Sequence, residues 1–417
     1  MPDWAQSRGG VPEIEVIIPT QFELRRCQAK LYGQLYVPIE QKSLQIIGSE
    51  EHAMIIDGDG HFFETEEIFE KYMEPSLRNY RPRLLQDDQG HYFWVADGQT
   101  PYKRPSIKGA GAPGTAAPPG RALQSARRAS PGSQTLTNLK ERLDDLDKEA
   151  IDVQYIYPSF LLHINAWPDG ILAMGVCRAY NTWLAEACNK APDRLKAVGV
   201  VSLQDPEGAA KELSRLPAMG VTAVMINGTA GEKRLDHPDH DIFFAEADRL
   251  KMPIAVHFSL QFPVVDKLFE HHFPNRVLAG IFPIMAGLTS VLCSGLLDRY
   301  KNLKFAFLEG GISWVPAHIE RMDDHFENPR YGAKDLISYP PSDYLKAGRI
   351  LFGCEGNESF LGRVVEEVGE DLFMFSSDYP HADRTEGTAK LLQDRNDIPA
   401  VVRRKLLQDN ARRFYVL

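Results

Sequence analysis

A carboxylate and an imidazole, Asp59 and His61, stand two residues apart directly after the short apolar run 53–56. Such a run predicts a buried strand, and residues two apart on extended backbone point to the same side. The two side chains can therefore converge on one point, as the first ligands of a divalent cation do. The alternative is structural: Asp57, Asp59 and Glu64 are turn or cap residues, and His61 packs in the core.

Ligand-type side chains also follow three later predicted strands. His257 ends the run 253–257, Glu309 follows 303–308, and Asp378 follows 372–375. Two histidines and two aspartates suit Zn²⁺, Mn²⁺ or Fe²⁺ better than an all-oxygen Ca²⁺ site. Glu309 and Asp378 are also candidates for general acid–base work. The structural alternatives are that His257 is a satisfied core histidine and that Asp378 caps the next helix.

The elements that must position these residues alternate regularly along the chain. Short apolar runs, each followed by a helical pattern, indicate strands that are covered on both faces. Eight such units predict an α/β fold, a (β/α)8 TIM barrel, whose active site lies at the carboxyl ends of the strands. A doubly wound sheet is the alternative. The strands are predicted at 53–56, 151–157, 195–203, 221–226, 253–257, 303–308, 349–352 and 372–375.

Two regions fall outside this pattern. Residues 1–50 are interpreted as an N-terminal arm, and 51–417 as the barrel domain. Within the domain, 98–134 is a long insertion after strand one that is rich in Gly, Pro, Ala and Ser. Such a stretch is either a flexible, disordered insertion or a mobile functional loop. We interpret Gly58 and Gly60 as a sharp turn that ends the first strand.

Composition narrows the class of protein. The chain has 417 residues, 43% of them hydrophobic, and a net charge of -10, which argues against nucleic-acid binding. There is no apolar run of about 18 residues for a membrane span, and the N-terminus lacks signal-peptide features. Five scattered cysteines without a CxxC motif suit a reducing compartment. We expect a cytoplasmic protein that acts on a small molecule.

Three motifs resemble one known family. They are Asp57-Gly-Asp-Gly-His-Phe-Phe-Glu64, Leu308-Glu-Gly-Gly-Ile-Ser-Trp-Val-Pro316 and Phe375-Ser-Ser-Asp-Tyr-Pro-His381, and the C-terminal segment 410–415 is similar to the family's ending. Together they resemble the amidohydrolase-related family. Within it they are most similar to the branch of aminocarboxymuconate-semialdehyde decarboxylase and resorcylate-type decarboxylases.

The resemblance implies a TIM barrel with one catalytic divalent metal ion, a Zn, Mn or Fe ion bound by Asp59, His61, His257 and Asp378. It also implies a homodimer. Characterised decarboxylases of this branch have a histidine after strand six, where this chain has Glu309. A carboxylate cannot donate a proton as imidazolium does unless burial raises its pKa. Glu309 would therefore serve as a base or an acid, or reach the metal.

We therefore place hydrolysis first. A metal-activated water would attack an amide, ester or activated C–C bond of a small planar or aromatic substrate, with Asp378 shuttling the proton and Glu309 assisting the leaving group. The alternative is a non-oxidative decarboxylase of an aromatic or muconate-like acid. A second alternative is a non-catalytic barrel used for binding. His381, three residues after Asp378, either faces the substrate as a catalytic residue or orients Asp378.

Weaker candidates surround the predicted mouth. Arg81 and Arg83 either bind a substrate carboxylate or are solvated surface residues. Aromatic residues that follow predicted strands either wall a flat substrate or belong to the core. These aromatic residues are Tyr157, Phe160, Trp167, Phe258 and Trp314.

Overall fold

The structure, a computed structural model, describes residues 54–86, 92–96, 129–259, 269, 272–381 and 384–416. The predicted arm and most of the predicted insertion lie outside these ranges. The last six residues of the insertion, 129–134, are described, and they are packed: Ser133 and Gln134 are fully buried. The flexible insertion was therefore predicted to extend too far, because a Ser-Pro-Gly sequence that opens a short helix resembles a loop. All of the described residues belong to one compact unit, 52–417.

Eight parallel strands form the barrel wall, and each of the eight predicted strands is confirmed. The third strand has two segments, the first paired with β2 and the second with β4; the remaining strands pair in chain order up to β8. The strands are β1 (Ile56–Phe62), β2 (Val153–Pro158), β3 (Leu195–Ala197 and Gly199–Val200), β4 (Val224–Asn227), β5 (Ile254–His257), β6 (Phe305–Leu308), β7 (Ile350–Cys354) and β8 (Phe373–Phe375).

The wall closes between β1 and the turn that follows β8. The amide of Asp378 donates to the Asp59 carbonyl at 3.0 Å, and the amide of His61 donates to the Tyr379 carbonyl at 2.6 Å. The amide of Ser377 donates to Oδ1 of Asp57 at 2.9 Å. First and last strands are thus neighbours, which an open doubly wound sheet does not allow. The predicted (β/α)8 barrel is confirmed.

Strand β1 begins and ends later than predicted, which matters because it carries two of the predicted ligands. It begins at Ile56 and runs through the whole motif to Phe62, with every residue buried. An added Cβ at Gly60 would lie 2.1 Å from Nε2 of Gln154, and one at Gly58 would lie 2.9 Å from Sδ of Met374. The predicted sharp turn at these glycines is wrong. They are small because side chains of neighbouring strands press against β1.

Helices follow the strands close to the predicted positions, except that the predicted helical region 275–300 is divided into three. Pro283 opens the second of these helices, and Gly295, with φ of 73°, precedes the third. The α-helices are α1 (Glu66–Tyr72), α2 (Pro131–Gln134), α3 (Leu139–Lys148), α4 (Gly170–Cys188), α5 (Pro206–Arg215), α6 (Asp241–Leu250), α7 (His272–Ala279), α8 (Phe282–Cys293), α9 (Leu296–Arg299), α10 (Val315–Glu327), α11 (Pro341–Lys346), α12 (Leu361–Val368), α13 (Thr388–Gln393), α14 (Ala400–Arg404) and α15 (Asn410–Tyr415).

Two further features lie outside the barrel wall and its α-helices. An antiparallel hairpin, Arg83–Gln86 with Tyr92–Val95, lies outside the barrel sheet and was not predicted. A short 3-10 segment, Phe160–Ala166, follows β2. Within the described ranges, no helix has the length and apolar character needed to cross a membrane.

Candidate metal centre

The four predicted metal ligands meet at the carboxyl ends of the strands. Oδ1 of Asp59 lies 3.3 Å from Nε2 of His61 and 3.4 Å from Nε2 of His257. Nε2 of His61 also lies 3.2 Å from Oδ1 of Asp378. Strand β1 supplies two of these side chains, β5 supplies His257, and the turn after β8 supplies Asp378. The barrel therefore brings together residues that are more than 300 positions apart in the sequence.

Both histidines are oriented by backbone carbonyls. Nδ1 of His61 lies 2.7 Å from the carbonyl oxygen of Pro158, and Nδ1 of His257 lies 3.3 Å from that of Phe258. A carbonyl can only accept, so each Nδ1 carries the hydrogen and donates it. In the neutral ring Nε2 then has the lone pair and lies at the centre, as in histidines that bind a metal through Nε2.

Several polar atoms at the centre have no hydrogen-bond partner among the described residues. They are fully buried, and leaving buried polar atoms unsatisfied is costly. A divalent cation would satisfy all of them at once, so the residues present fit a metal ion. The atoms are both carboxylate oxygens of Asp59, Nε2 of His61 and Nε2 of His257.

The electrostatics of the cluster also favour a cation. Burial works to raise the pKa of Asp59, but the facing His257 and His61 lower it overall. Burial opposes ionisation of Asp378 as well, yet His381 and His61 hold its pKa well below the usual range. Burial works to lower the pKa of His61, but Asp378 and Asp59 raise it well above its ordinary value. The carboxylates thus remain ionised and attract positive charge.

The site has room for one ion. Two overlapping groups of ligand-type atoms occur, one of Asp59, His61 and His257 and one of His61, Glu309, Asp378 and His381. They share His61, whose Nδ1 is already engaged by Pro158. A single lone pair on Nε2 binds a single ion, so the two groups describe one centre rather than a pair of metal sites.

His381 is held through both ring nitrogens. Its Nδ1 lies 2.6 Å from Oδ1 of Asp378, and its Nε2 lies 2.8 Å from Oγ of Ser159. The ring also stacks on His61, with 4.0 Å between centroids. This arrangement leaves neither nitrogen for a metal and favours the alternative in which His381 orients Asp378. A catalytic role for His381 stays a prediction.

Asp57 has a larger role than a turn or cap residue. Its Oδ2 accepts from Oγ of Ser377 at 2.5 Å and from Nε2 of Gln154 at 2.7 Å, while Oδ1 accepts from the Ser377 amide. One buried carboxylate thereby joins β1, β2 and the turn after β8. The sequence signal was its position two residues before Asp59, on the strand that carries the ligands.

Arg142 on α3 was missed altogether. It is fully buried, and its Nη2 donates to the His61 carbonyl and to Oε1 of Gln154, both at 2.6 Å. Its guanidinium lies 4.5 Å from the ring centroid of Tyr379. Burial lowers its pKa to about 10, so it stays charged at neutral pH. Its spacing from Leu139 and Leu146 places it on the apolar face of α3, which is the signal that could have identified it.

Glu64, at the end of the motif, is structural. Its carboxylate accepts from the amides of Ser159, Phe160 and Leu161 at 2.8 to 3.1 Å. These amides open the 3-10 segment after β2, so Glu64 caps that segment. The structural alternative holds for this residue, whereas metal binding by Asp59 and His61 stays a prediction.

Most of the weaker candidates lie at the surface or are buried, which fits their structural alternatives. Nη2 of Arg81 lies 3.8 Å from Oε1 of Glu70, and Nη2 of Arg83 donates to the Asn79 carbonyl at the surface. The aromatic residues after the strands are buried, apart from Trp314, which is half-buried. The buried ones are Tyr157, Phe160, Trp167 and Phe258.

The side chains of the centre differ in their exposure to solvent. The side chains of Asp59, His61 and His257 are at most 1% exposed, whereas those of Glu309 and Asp378 are 13% and 8% exposed. Solvent or a small substrate would therefore meet the β6 and β8 turns first. This is the face where a substrate can bind beside the ligand atoms.

A closed (β/α)8 barrel with an Asp, His, His and Asp cluster at its strand ends defines a class of metal-dependent barrel enzymes. The family model described as Amidohydrolase matches residues 141–417. The chain belongs to the amidohydrolase family, as the motifs predicted.

Named relatives bear on the reaction. The chain is 27% identical over 269 residues to gamma-resorcylate decarboxylase of Rhizobium sp. (strain MTP-10005), covering 61% of this chain and 80% of that protein. An amidohydrolase of Mycobacterium avium subsp. paratuberculosis superposes with a TM-score of 0.70 at 21% identity, covering 87% and 99% of the two chains. A dihydroxybenzoic acid decarboxylase of Polaromonas sp. JS666, solved with manganese and 2-nitroresorcinol, gives 0.61 at 21% identity, covering 87% and 97%.

These comparisons confirm the expected family and change the order of the two reactions. Hydrolysis was placed first from the sequence, but the curated relatives at about a quarter identity are named decarboxylases. The comparisons thus favour decarboxylation, which was the alternative. The homodimer and the cytoplasmic location stay predictions.

Proposed function

We propose that this chain is a metal-dependent, non-oxidative decarboxylase of a small hydroxylated aromatic acid. The observation that carries the proposal is the set of unsatisfied ligand atoms on Asp59, His61 and His257, with Oδ1 of Asp378 3.2 Å from Nε2 of His61. Support comes from the 27% identity to a gamma-resorcylate decarboxylase. These four residues would hold one divalent ion, which when bound supplies a Lewis acid that binds and polarises substrate oxygens.

The reaction breaks the bond between the ring carbon and the carboxylate carbon. Carbon dioxide leaves, and the electron pair stays on the ring carbon, which must take up one proton. A group at the exposed side of the centre has to provide that proton. Asp378 is 8% exposed there, and its Oδ1 is 2.6 Å from Nδ1 of His381.

The chain offers a path for this proton through Asp378 and His381. The pKa of Asp378 is held well below the usual range, first by His381 and then by His61, against the effect of burial. The 2.6 Å contact lets Asp378 and His381 share one proton, and the second ring nitrogen of His381 is anchored by Ser159. In the proposal His381 stores the proton and Asp378 passes it to the ring carbon.

Hydrolysis remains a second candidate because of one residue. Glu309 follows β6, and its Oε2 lies 3.4 Å from Nε2 of His257. The decarboxylases that the motifs resemble have a histidine after this strand. A carboxylate at this position is suited to take a proton from water and give it to a leaving group.

The test compares two substrate panels with the Mn²⁺-loaded and Zn²⁺-loaded protein. One panel contains hydroxylated benzoic acids, including 2,6-dihydroxybenzoate and 5-carboxyvanillate, and the other contains esters and amides of the same acids. Decarboxylation predicts equal amounts of carbon dioxide and decarboxylated arene. In D2O the arene should carry one deuterium at the carbon that lost the carboxylate.

Variants assign the proton path. Asp378→Asn should lower kcat/KM by more than about 100-fold, because it loses both a ligand and the proton carrier. His381→Gln should lower kcat with little change in KM. Asp324→Asn changes an exposed helix residue, 82% exposed, and serves as the matched control. Ester or amide cleavage without carbon dioxide would reject decarboxylation in favour of hydrolysis.

A further inference from the structure

The carboxylate of Glu309 belongs to the same cluster as the four expected ligands. Its Oε2 lies 3.4 Å from Nε2 of His257 and 3.9 Å from Nε2 of His61. We propose that Glu309 is a fifth side-chain ligand of the ion, which makes the centre a site of three carboxylates and two imidazoles. The inference rests on the metal site of the proposed function, and it concerns the ion rather than the reaction.

The separations between atoms are those of ligands that share one ion. Two atoms bound at about 2.1 Å each lie about 3.0 Å apart at a right angle and about 4.2 Å apart when opposite. The expected ligands are 3.2 to 3.4 Å apart where they face each other. The two Glu309 separations, 3.4 and 3.9 Å, lie between the right-angle and opposite values. By these distances, Glu309 is as well placed to bind the ion as the four residues already assigned.

The backbone at Glu309 is arranged to direct this carboxylate. Glu309 has φ of 55°, and Asp378, the carboxylate after β8, has φ of 53°. Residues other than glycine rarely adopt this left-handed conformation, and it persists where the surroundings impose it. Two strands of the barrel thus end in the same unusual conformation, and both point a carboxylate at one centre.

Neighbouring side chains hold the turn after β6 from two directions. Nε1 of Trp314 donates to the carbonyls of Gly310 and Gly311 at 3.0 and 2.9 Å. Oε2 of the half-buried Glu358 accepts from the amide of Ile312 at 3.1 Å. Gly311 itself has φ of 62°, which suits glycine. The turn is therefore fixed by specific bonds, as expected for a segment that presents a ligand.

A third carboxylate changes which ion the site prefers. Carboxylates suit Mn²⁺ and similar oxygen-seeking ions, whereas imidazoles suit Zn²⁺ more strongly. With Asp59, Asp378 and Glu309 ionised, the side chains carry three negative charges, and a divalent ion leaves one. The site should consequently favour Mn²⁺ relative to Zn²⁺ more than the same site with a histidine at position 309 would.

Metal titration of the metal-free protein tests the inference without turnover. Dissociation constants for Mn²⁺ and Zn²⁺ are measured by competition with a chelator for wild type, Glu309→Gln and Glu309→His. Glu309→Gln should weaken Mn²⁺ binding at least about tenfold, and Glu309→His should shift the preference from Mn²⁺ toward Zn²⁺. The visible spectrum of the Co²⁺-loaded protein should change between wild type and Glu309→Gln.

Glu358→Gln is the matched control, because it alters the support of the same turn without touching the centre. Its effect on Mn²⁺ affinity should stay below about threefold, and thermal unfolding of each metal-free variant checks that it is folded. A Co²⁺ spectrum and Mn²⁺ affinity unchanged in Glu309→Gln would overturn the inference, as would an equal loss in Glu358→Gln. Failure of decarboxylation with intact metal binding would reject only the proposed function.

Discussion

The residues of the metal centre lie on two kinds of backbone structure: some are on strands and the others are on turns. Asp59, His61 and His257 lie on β1 and β5, where the backbone pairs with neighbouring strands and the side chains are at most 1% exposed. Glu309 and Asp378 lie on turns with φ of 55° and 53°, and their side chains are 13% and 8% exposed. The three strand residues, here called the strand half, are therefore held by the pairing of the barrel strands. The two turn residues, the turn half, are held by local bonds.

This difference assigns separate tasks to the two halves. The strand residues are positioned by the strand pairing and by the carbonyls behind each histidine, so they need few side-chain partners. The turn residues depend on neighbours: Asp378 on His381 and Ser377, and Glu309 on the support of Trp314. Because the turn residues also face the opening, they are the ones that meet substrate. The strand half should therefore govern metal retention. The turn half should govern the preference for one metal ion over another and the transfer of the proton.

Removing a strand ligand should have the largest effect. We expect His61→Ala to weaken binding of Mn²⁺ and Zn²⁺ by more than about 100-fold, beyond the loss typical of an outer partner. The reason is that Nε2 of His61 lies at the middle of the cluster, near Asp59, Glu309 and Asp378. Metal content after dialysis against a chelator measures the loss.

The matched control is His237→Ala, which removes a histidine that is 33% exposed and pairs with Asp239. It should leave metal content unchanged. If His61→Ala retained one ion per chain through dialysis, the strand half would not govern metal retention, and the comparison between the halves would fail.

The second-largest effect is expected from Asp57, whose carboxylate links β1 to the turn after β8. Asp57→Asn places an amide group among donors from Ser377 and Gln154, so at least one donor loses its partner. We expect the free energy of unfolding to fall by about 2–4 kcal/mol, since bonds to a charged group are lost in the interior. Urea unfolding of the metal-free protein measures this change.

Asp152→Asn provides the comparison for that loss. Oδ2 of Asp152 accepts a single bond from the amide of Ile55, 2.7 Å away, just before β1. Its replacement should cost about 1 kcal/mol or less. Equal losses in the two variants would show that Asp57 contributes no more than one ordinary hydrogen bond.

The same division explains what the sequence could reveal. Asp59, His61, His257 and Asp378 were predicted as ligands because strand ends can be identified from apolar runs and because the motifs resemble a known family. Glu309 was recognised as a residue that follows a strand and acts as acid or base or reaches the metal. The left-handed backbone of Asp378 and Glu309 leaves no mark in the sequence at a non-glycine residue, so this shared conformation needed the structure.

Hydrogen-bond partners from distant parts of the sequence could not be predicted, for a different reason. Arg142 donates to the carbonyl of His61, 81 positions earlier, and Ser377 bonds to Asp57 across 320 positions. Apolar patterns place a strand, but they do not say which buried polar side chain will satisfy it. The glycines of β1 show the same limit, since the need for a small residue arises from Gln154 and Met374 on neighbouring strands.

The smallest predicted effect tests the turn half directly. Trp314→Phe keeps an aromatic ring near Phe352 and His318 but removes the donor to the carbonyls of Gly310 and Gly311. We expect a loss of about 1 kcal/mol in unfolding free energy and of a few-fold in Mn²⁺ affinity, because the turn loosens while Glu309 remains. Trp183→Phe, whose ring stacks on Phe62 of β1, should leave Mn²⁺ affinity within about twofold, since strand pairing holds that half. If both tryptophan variants changed Mn²⁺ affinity equally, local bonds would support both halves alike.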